Sequence, residues 1–164
     1  MAHDHRPEKA RLNPTLATNR KARRDYDIFE TVEAGIALLG PEIKSIRARR
    51  VSLDDSFARI DGGELFLYNM YVSPYEQGGR YNPPDPTRVR KLLLRRQQIE
   101  RLIGRLSQRG LALIPLRLYL KHGLAKVELA LSKGKKLYEK RETIRARETE
   151  REMRRLIRTR QKRQ

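Results

Sequence analysis

The alternation of side chains between residues 116 and 131 limits the possible folds more than any other feature of this sequence. A leucine or valine stands at every second position of residues 116–120 and again of residues 127–131. A period of two places these apolar side chains on one face of a β-hairpin that turns at His122-Gly123. The sequence therefore predicts antiparallel strands with one buried face.

Further strand signals lie in the first half of the chain. Residues 26–33 and 35–39 predict two short strands, with Gly35 allowing a bend or bulge between them. Residues 56–60 and 64–72 flank Asp61-Gly62-Gly63, which is typical of a tight hairpin turn. Residues 89–94 predict one more strand.

Two segments predict helices. Pro41 suits a first helical turn, and the following apolar spacing predicts a short helix over Pro41–Ala48. Apolar residues at positions 99, 102, 103 and 106 predict an amphipathic helix that ends before Gly110. Residues 73–88 contain four prolines and two glycines, which predicts a long irregular loop.

About six short antiparallel strands and two helices make the predicted fold class mainly β. Closing such strands into a small barrel hides their edges from solvent. We therefore predict a small antiparallel β-barrel with flanking helices over residues 19–132, after a disordered arm over residues 1–18.

Charge distinguishes the two ends of the chain from its body. The 38 basic and 20 acidic residues give a formal net charge of +18. Fourteen basic and five acidic residues fall in residues 133–164, and seven and two fall in residues 1–24. Such like charge repels itself unless a polyanion neutralises it, so nucleic acid is the first candidate partner and an anionic membrane the second.

The basic tail, defined as residues 133–164, contains neither glycine nor proline after Gly134. Glu and Arg recur three and four residues apart, which supports a helix by only ~0.2–0.5 kcal/mol per pair. Its apolar residues are too few to dock it firmly on a barrel. We expect a tail that is largely disordered when free and becomes helical on a polyanion, with an ordinary solvated helix as the alternative.

Catalytic and metal-binding patterns are sparse. The chain has no cysteine, which excludes disulfides, thiolate zinc sites and thiol catalysis, and we expect no cofactor and no metal site. Asp54-Asp55 resembles half of a two-metal nuclease site, but a turn or capping role is favoured for adjacent aspartates. No apolar run approaches the ~20 residues of a membrane span. We expect a cytoplasmic binding protein that is not an enzyme.

Basic residues beside tyrosines mark two candidate RNA contacts. One cluster precedes Tyr26 and the other surrounds Tyr138. Cations neutralise phosphates, and an exposed tyrosine can stack on an unpaired base. Glu33 could accept hydrogen bonds from base amino groups, although a charge that protects an edge strand is the reading that spacing alone favours.

Several segments together resemble the small protein B family, the bacterial SsrA-binding proteins. The resemblance runs from about Thr18 to the C-terminus. The strings LYNMYVSPYEQG and GKKLYEKR are the most specific, because no generic barrel requires either. The segments are NRKARRDY (19–26), VEAGIALLGPEIKSIRARR (32–50), ELFLYNMYVSPYEQG (64–78), DPTRVRKLLL (85–94) and LIPLRLYLKHGLAKVELALSKGKKLYEKR (113–141).

This resemblance implies an oligonucleotide-binding (OB) type barrel that holds the tRNA-like domain of transfer-messenger RNA and brings it to stalled ribosomes. It also implies a tail that becomes helical in the empty messenger channel, near the decoding centre of the small subunit. Folding of the tail would then sense the empty channel. We expect the protein to be a monomer away from its RNA.

The resemblance and the charge pattern together give two sets of candidate site residues. The expected RNA-binding residues are Asn19, Arg20, Lys21, Arg23, Arg24, Tyr26, Glu33, Lys44 and Lys91. The expected ribosome-binding residues of the tail are Lys133, Gly134, Lys135, Lys136, Tyr138, Glu139, Lys140, Arg141, Arg155, Leu156 and Ile157.

One residue departs from the family pattern, and three alternatives stay open. Arg24 stands where many relatives have histidine; a guanidinium can also stack on RNA but brings a permanent charge. The main alternative is a ribosome-associated protein or RNA chaperone that binds RNA without specificity. The others are a metal-dependent nuclease using Asp54 and Asp55, and a tail that binds a membrane surface.

Overall fold

The computed structural model describes residues 14–75, 83–108 and 110–161, apart from the side chains of Tyr138 and Arg160. The rest of the predicted arm and loop lies outside the described residues. The strands are β1 (Thr15–Thr18), β2 (Tyr26–Ile36), β3 (Val51–Ser52), β4 (Phe57–Asp61), β5 (Glu64–Tyr68), β6 (Tyr71–Val72), β7 (Arg90–Leu93), β8 (Leu111–Lys121) and β9 (Leu124–Gly134). The helices are α1 (Arg20–Asp25), α2 (Gly40–Arg47), α3 (Arg96–Leu106) and α4 (Leu137–Gln161).

Six of the strands close into a ring. Neighbouring strands pair in the order β8-β4-β5-β7-β2-β9, and β9 pairs back onto β8, so the sheet closes on itself. Strand β1 adds to β8, while β3 and β6 form a separate two-stranded sheet. Each described pairing is antiparallel. The predicted small antiparallel barrel with flanking helices is confirmed.

Both predicted hairpins are present. Strands β8 and β9 pair along their length with one register shift between Pro115 and Arg117, and the turn between them uses His122 and Gly123 at φ 51° and 75°. Strands β4 and β5 are joined by Gly62 and Gly63, also at positive φ. Positive φ is unstrained in glycine, which explains why these positions make the tight turn. The prediction that Leu116 shares the face of Leu118 is wrong, because Leu116 packs with Ile114 apart from the core that contains Leu118.

Strand β2 corrects the prediction of two strands that separate at Gly35. The strand runs unbroken through Gly35, and its irregularity is a bulge between Ile28 and Glu30. A Cβ at Gly35 would lie 3.2 Å from the Cβ of Leu93 on β7. The glycine therefore permits close approach of two strands and does not bend the chain.

Two further predictions about element bounds are corrected, and one helix was missed. Residues 15–18, which were expected in the disordered arm, form β1 on the edge of β8. The predicted strand over residues 64–72 divides into β5 and β6 because Asn69 takes φ 62°. Helix α1 was not predicted, because its six residues carry too little apolar periodicity.

The main core fills the inside of the ring. Alternate residues of β5, β8 and β9 are fully buried there, including Leu65, Leu118 and Leu129. Helix α3 adds Leu102 to this core and carries Arg101 and Arg105, which pair with Glu30 of β2. A smaller apolar cluster lies outside the ring, beneath α1.

A buried ion cluster joins α2 to β7. Glu42 is 2% exposed and Arg90 is 0% exposed, and Arg90 Nε donates to Glu42 Oε2 at 2.7 Å. The Arg90 guanidinium also donates to the carbonyls of Met70, Arg88 and Pro86. Arg88 Nε donates to the other Glu42 oxygen at 3.1 Å. Every charge in this cluster therefore has partners, as burial requires.

The ionisation of Glu42 follows from this cluster. Burial opposes its charge, but hydrogen bonds from Arg88, the Leu39 backbone and Arg90 outweigh burial and hold the pKa of Glu42 below its usual value. A lowered folded-state pKa means that the cluster stabilises the fold fully at neutral pH. That contribution is lost as the pH falls through the lowered pKa.

We predict that Glu42→Gln lowers the free energy of unfolding by about 3–5 kcal/mol, because it leaves the buried Arg90 without its counter-charge. Urea denaturation at neutral pH measures the effect. Glu64→Gln is the matched control: it breaks the exposed pair with Lys91 and should change stability by at most about 1 kcal/mol. Equal effects of the two substitutions would contradict this account of Glu42.

Candidate nucleic-acid interface

Asn19 fixes the start of the first basic segment. Its side-chain oxygen accepts from the backbone N–H of Ala22 at 3.1 Å, and its amide nitrogen donates to the carbonyl of Pro115 at 3.0 Å. This is the usual way in which asparagine begins a helix. Asn19 is 4% exposed, so it anchors α1 to β8 and does not itself offer a surface to RNA.

Helix α1 presents its cations outward. Ala22 is buried against Ile114 and Leu116 of β8, which leaves Arg20, Lys21 and Arg23 on the exposed side.

The other predicted residues of this segment are half-buried. Arg24 Nε donates to Asp25 Oδ1 at 2.9 Å, and Tyr26 packs against the cluster beneath α1. The predicted basic residues before Tyr26 therefore share one side of the barrel.

The start of the basic tail lies beside α1. Lys133 and Gly134 end β9, and the backbone N–H of Lys135 donates to the carbonyl of Asp25 at 2.8 Å. Further along, the Arg147 guanidinium donates to the carbonyl of Arg23 at 3.2 Å. The two basic segments, more than a hundred residues apart in sequence, thus form one cationic surface.

The expectation that the tail is largely disordered when free and becomes helical on a polyanion stays a prediction, while residues 137–161 form the single helix α4. The absence of glycine and proline permits it, and the Glu139 carboxylate accepts from the backbone N–H of Lys136 at its start. Arg154 pairs with Glu150 one turn earlier. The structure matches the alternative of a solvated helix.

The predicted tail residues occupy different parts of α4. Glu139, Lys140 and Arg141 lie in its first turns, and the side chain of Tyr138 lies outside the described residues. Arg155, Leu156 and Ile157 lie near its end, where Leu156 is 66% exposed. The centres of the two groups, Lys140 and Leu156, are 16 residues apart, which is about 24 Å along the helix.

A second candidate surface is an open groove across β2 and β7. It has a volume of about 950 Å³ and is lined by Glu33, Lys91, Leu93, Arg95 and Lys126, among others. Leu93 is 52% exposed. Glu64 lines the groove as well. Cations, carboxylates and an exposed leucine suit phosphates, base edges and base faces respectively. We call this feature the β2–β7 groove.

Glu33 was expected on an edge strand without partners, and the structure corrects this. Strand β2 lies between β7 and β9, and the Glu33 carboxylate accepts hydrogen bonds from the Tyr119 hydroxyl and from Lys121 Nζ. The Tyr119 hydrogen bond, with Lys121 in support, outweighs partial burial and holds the pKa of Glu33 below its usual value. The groove therefore contains a fixed, ionised carboxylate.

Lys44 does not line this groove. It is exposed on α2, and its Nζ lies 5.1 Å from the centre of the Tyr75 ring. Lys91, by contrast, lines the groove and pairs with Glu64 at 2.8 Å.

Leu93 and Lys126 were missed by the sequence analysis. Both occupy outward positions on strands whose alternating partners are buried, and this alternation was the available signal. What the alternation did not show is that β7 and β9 flank β2 and so bring these residues to Glu33.

The described residues include no group of three or more His, Cys, Asp or Glu side chains placed to hold a metal ion. Asp54 and Asp55 lie in the turn before β4, where Asp55 Oδ1 is 3.9 Å from Lys21 Nζ. Across residues 14–75, 83–108 and 110–161, no helix is both long enough and apolar enough to span a bilayer.

We predict that Asn19→Ala lowers the free energy of unfolding by about 1–2 kcal/mol, because α1 loses its cap. Arg20→Ala, at the exposed position beside it, should leave stability unchanged and weaken binding to RNA instead. Thermal denaturation and RNA-binding titrations separate the two effects. A stable Asn19→Ala protein would show that this asparagine does not anchor α1.

Comparisons with known proteins agree with this geometry. The SmpB protein family model matches residues 16–159. An SsrA-binding protein of Geobacillus thermodenitrificans (strain NG80-2) is 58% identical over 147 residues, covering 90% of this chain and 94% of that protein. Another, from Desulforudis audaxviator (strain MP104C), is 59% identical over 152 residues, covering 93% of this chain and 95% of its own.

A solved structure described as "tmRNA-SmpB: a journey to the center of the bacterial ribosome" is also similar. It is 50% identical with a TM-score of 0.63, and the match covers 78% of this chain and 93% of that one. Sequence, family model and fold agree over most of the chain: this protein belongs to the SmpB family.

Proposed function

We propose that this protein binds the tRNA-like domain of transfer-messenger RNA and delivers it to ribosomes stalled without a stop codon. Its relatives are SsrA-binding proteins, and its structural neighbour is described as a complex of that RNA with SmpB. The observation that carries the proposal is the β2–β7 groove, where a fixed carboxylate lies among exposed cations.

The groove supplies three kinds of contact to a folded RNA. Lys91 and Lys126 neutralise phosphates, and Leu93 packs against a base or ribose. The Glu33 carboxylate accepts from base N–H groups, which cations cannot do. Folded RNA is recognised mainly through shape and unpaired bases, and an open groove of this kind suits both.

The cationic surface of α1 and α4 engages the ribosome. Helix α4 extends from the end of β9 and carries exposed basic side chains along its length. Such a helix fits a vacant messenger channel lined by ribosomal RNA phosphates, and messenger in the channel would exclude it. Entry of the tail into the channel as a helix is the step that senses vacancy.

The protein acts as a cytoplasmic binding factor that makes and breaks no covalent bond. This proposal assigns no RNA contact to Asn19 or Lys44, and no catalytic role to Asp54 and Asp55. The alternative of a non-specific RNA chaperone also draws on the net charge of +18, since charge alone supports non-specific binding. Selectivity at fixed salt distinguishes the two.

We predict a clear preference for the tRNA-like domain over unrelated structured RNA of equal length in competition titrations at one salt concentration. Lys91→Ala with Lys126→Ala should weaken binding and reduce the salt slope by about 0.7–0.9 per lost phosphate contact. Lys44→Ala is the control from outside the groove. Equal affinity of the parent protein for both RNAs would favour the chaperone alternative.

We predict that truncation after Lys136 preserves RNA binding and abolishes peptide tagging on stalled ribosomes in a reconstituted translation assay. Full-length Ala146→Pro is the second variant, since proline inside a helix breaks it while every charge remains. It should also reduce tagging, because the channel must receive a helix. Normal tagging by the truncated protein would refute the assigned role of the tail.

A further inference from the structure

The buried side chain of Tyr119 connects β8 to β2. Its side chain lies on the outward side of β8 but is only 3% exposed, and its hydroxyl donates to Glu33 Oε2 on β2. Strand β9 runs between these two strands. The hydrogen bond therefore spans β9 and reaches Glu33, which lines the β2–β7 groove.

Neighbouring side chains hold both partners in place. The Arg117 guanidinium lies 4.7 Å from the centre of the Tyr119 ring, and its Nε donates to Glu128 Oε2 at 2.8 Å. Lys121 Nζ donates to Glu33 Oε1 at 3.1 Å. Lys121 Nζ also donates to Glu33 Oε2 at 3.4 Å, so Oε1 accepts one hydrogen bond from the protein and Oε2 accepts two, which fixes the plane of the carboxylate.

An unheld glutamate would behave differently in this groove. Ordering a free glutamate side chain on binding costs about 0.5–1.5 kcal/mol. Glu33 also lies near Lys126, whose charge acts on it, so a freed carboxylate could pair with that lysine. The same carboxylate would then no longer be available to RNA.

We propose that Tyr119 is a positioning residue that holds the Glu33 carboxylate in the orientation in which it accepts base N–H groups of RNA. The inference rests on the proposed function, because Glu33 must contact RNA for its orientation to matter. Glu33 Oε1 retains an acceptor lone pair beyond the one used by Lys121. That acceptor selects bases that present N–H donors.

The ionisation of the pair supports this role. Burial and the contact with Glu33 raise the pKa of Tyr119, so its hydroxyl keeps its proton and remains a donor. The hydrogen bond from Tyr119 lowers the pKa of Glu33, so the carboxylate remains an acceptor below neutral pH. Tyr119→Phe should therefore raise the pKa of Glu33 toward its usual value.

The test is a double-mutant cycle of Tyr119→Phe and Glu33→Gln, read out as affinity for the tRNA-like domain. Tyr119→Phe keeps the ring and removes the donor, so we expect affinity to fall about threefold to tenfold with an unchanged salt slope. In the Glu33→Gln background the same substitution should have no further effect. NMR titration of the Glu33 carboxyl in the Tyr119→Phe single variant should show a pKa above that of the parent protein.

Tyr68→Phe is the matched control. The Tyr68 hydroxyl also donates to a carboxylate, that of Asp61, at 2.6 Å, but neither residue lines the groove. Its removal should leave RNA affinity unchanged. Lys121→Gln removes the second donor to Glu33 from a half-exposed position, which gives an independent readout should Tyr119→Phe fold poorly.

Failure of the Tyr119 proposal and failure of the proposed RNA-binding function give different results. If the parent protein shows no preference for the tRNA-like domain, the proposed function fails. If the preference is present but Tyr119→Phe binds normally, or its loss persists in the Glu33→Gln background, Tyr119 does not act through Glu33. Normal binding by Glu33→Gln overturns the inference as well.

Discussion

Closure of the barrel through β8 and β9 is the constraint on which the rest of this structure depends. This hairpin pairs with β4 on one side and with β2 on the other. Without it, β2 would be an edge strand, and Glu33 would lose both Tyr119 and Lys121. The same hairpin supplies the floor beneath α1 and the strand from which the tail begins. The β2–β7 groove and the cationic surface of α1 and α4 thus both depend on closure of the strand ring.

Local signals predicted much of this fold, since they depend on neighbours in sequence. Alternation gave β8 and β9, glycine pairs gave the β4–β5 turn, and apolar spacing gave α3. Gly35 misled because the residue that it accommodates, Leu93, is distant in sequence. The helix of the tail was hard to predict because it depends on weak helix-stabilising pairs that add up along 25 residues.

The candidate site was less predictable than the fold. Charge clustering identified α1 and the tail, because charge is visible in composition. The polar network around Glu33 depends on three strands meeting in one register, and a single sequence does not show that register. Asn19 illustrates the converse: its motif was found, but burial assigns it to helix capping and not to contact with RNA.

The unbroken course of β2 has a mechanical consequence. Tyr26, at one end, lies beside the first residues of the tail, and Glu33 lies seven residues on. At the rise of an extended chain, that span is about 23 Å. Strand β2 thus sets the distance between the start of the tail and the β2–β7 groove. Under the proposed function, a force on the tail would pass to the β2–β7 groove through the backbone hydrogen bonds of paired strands and not through a flexible linker.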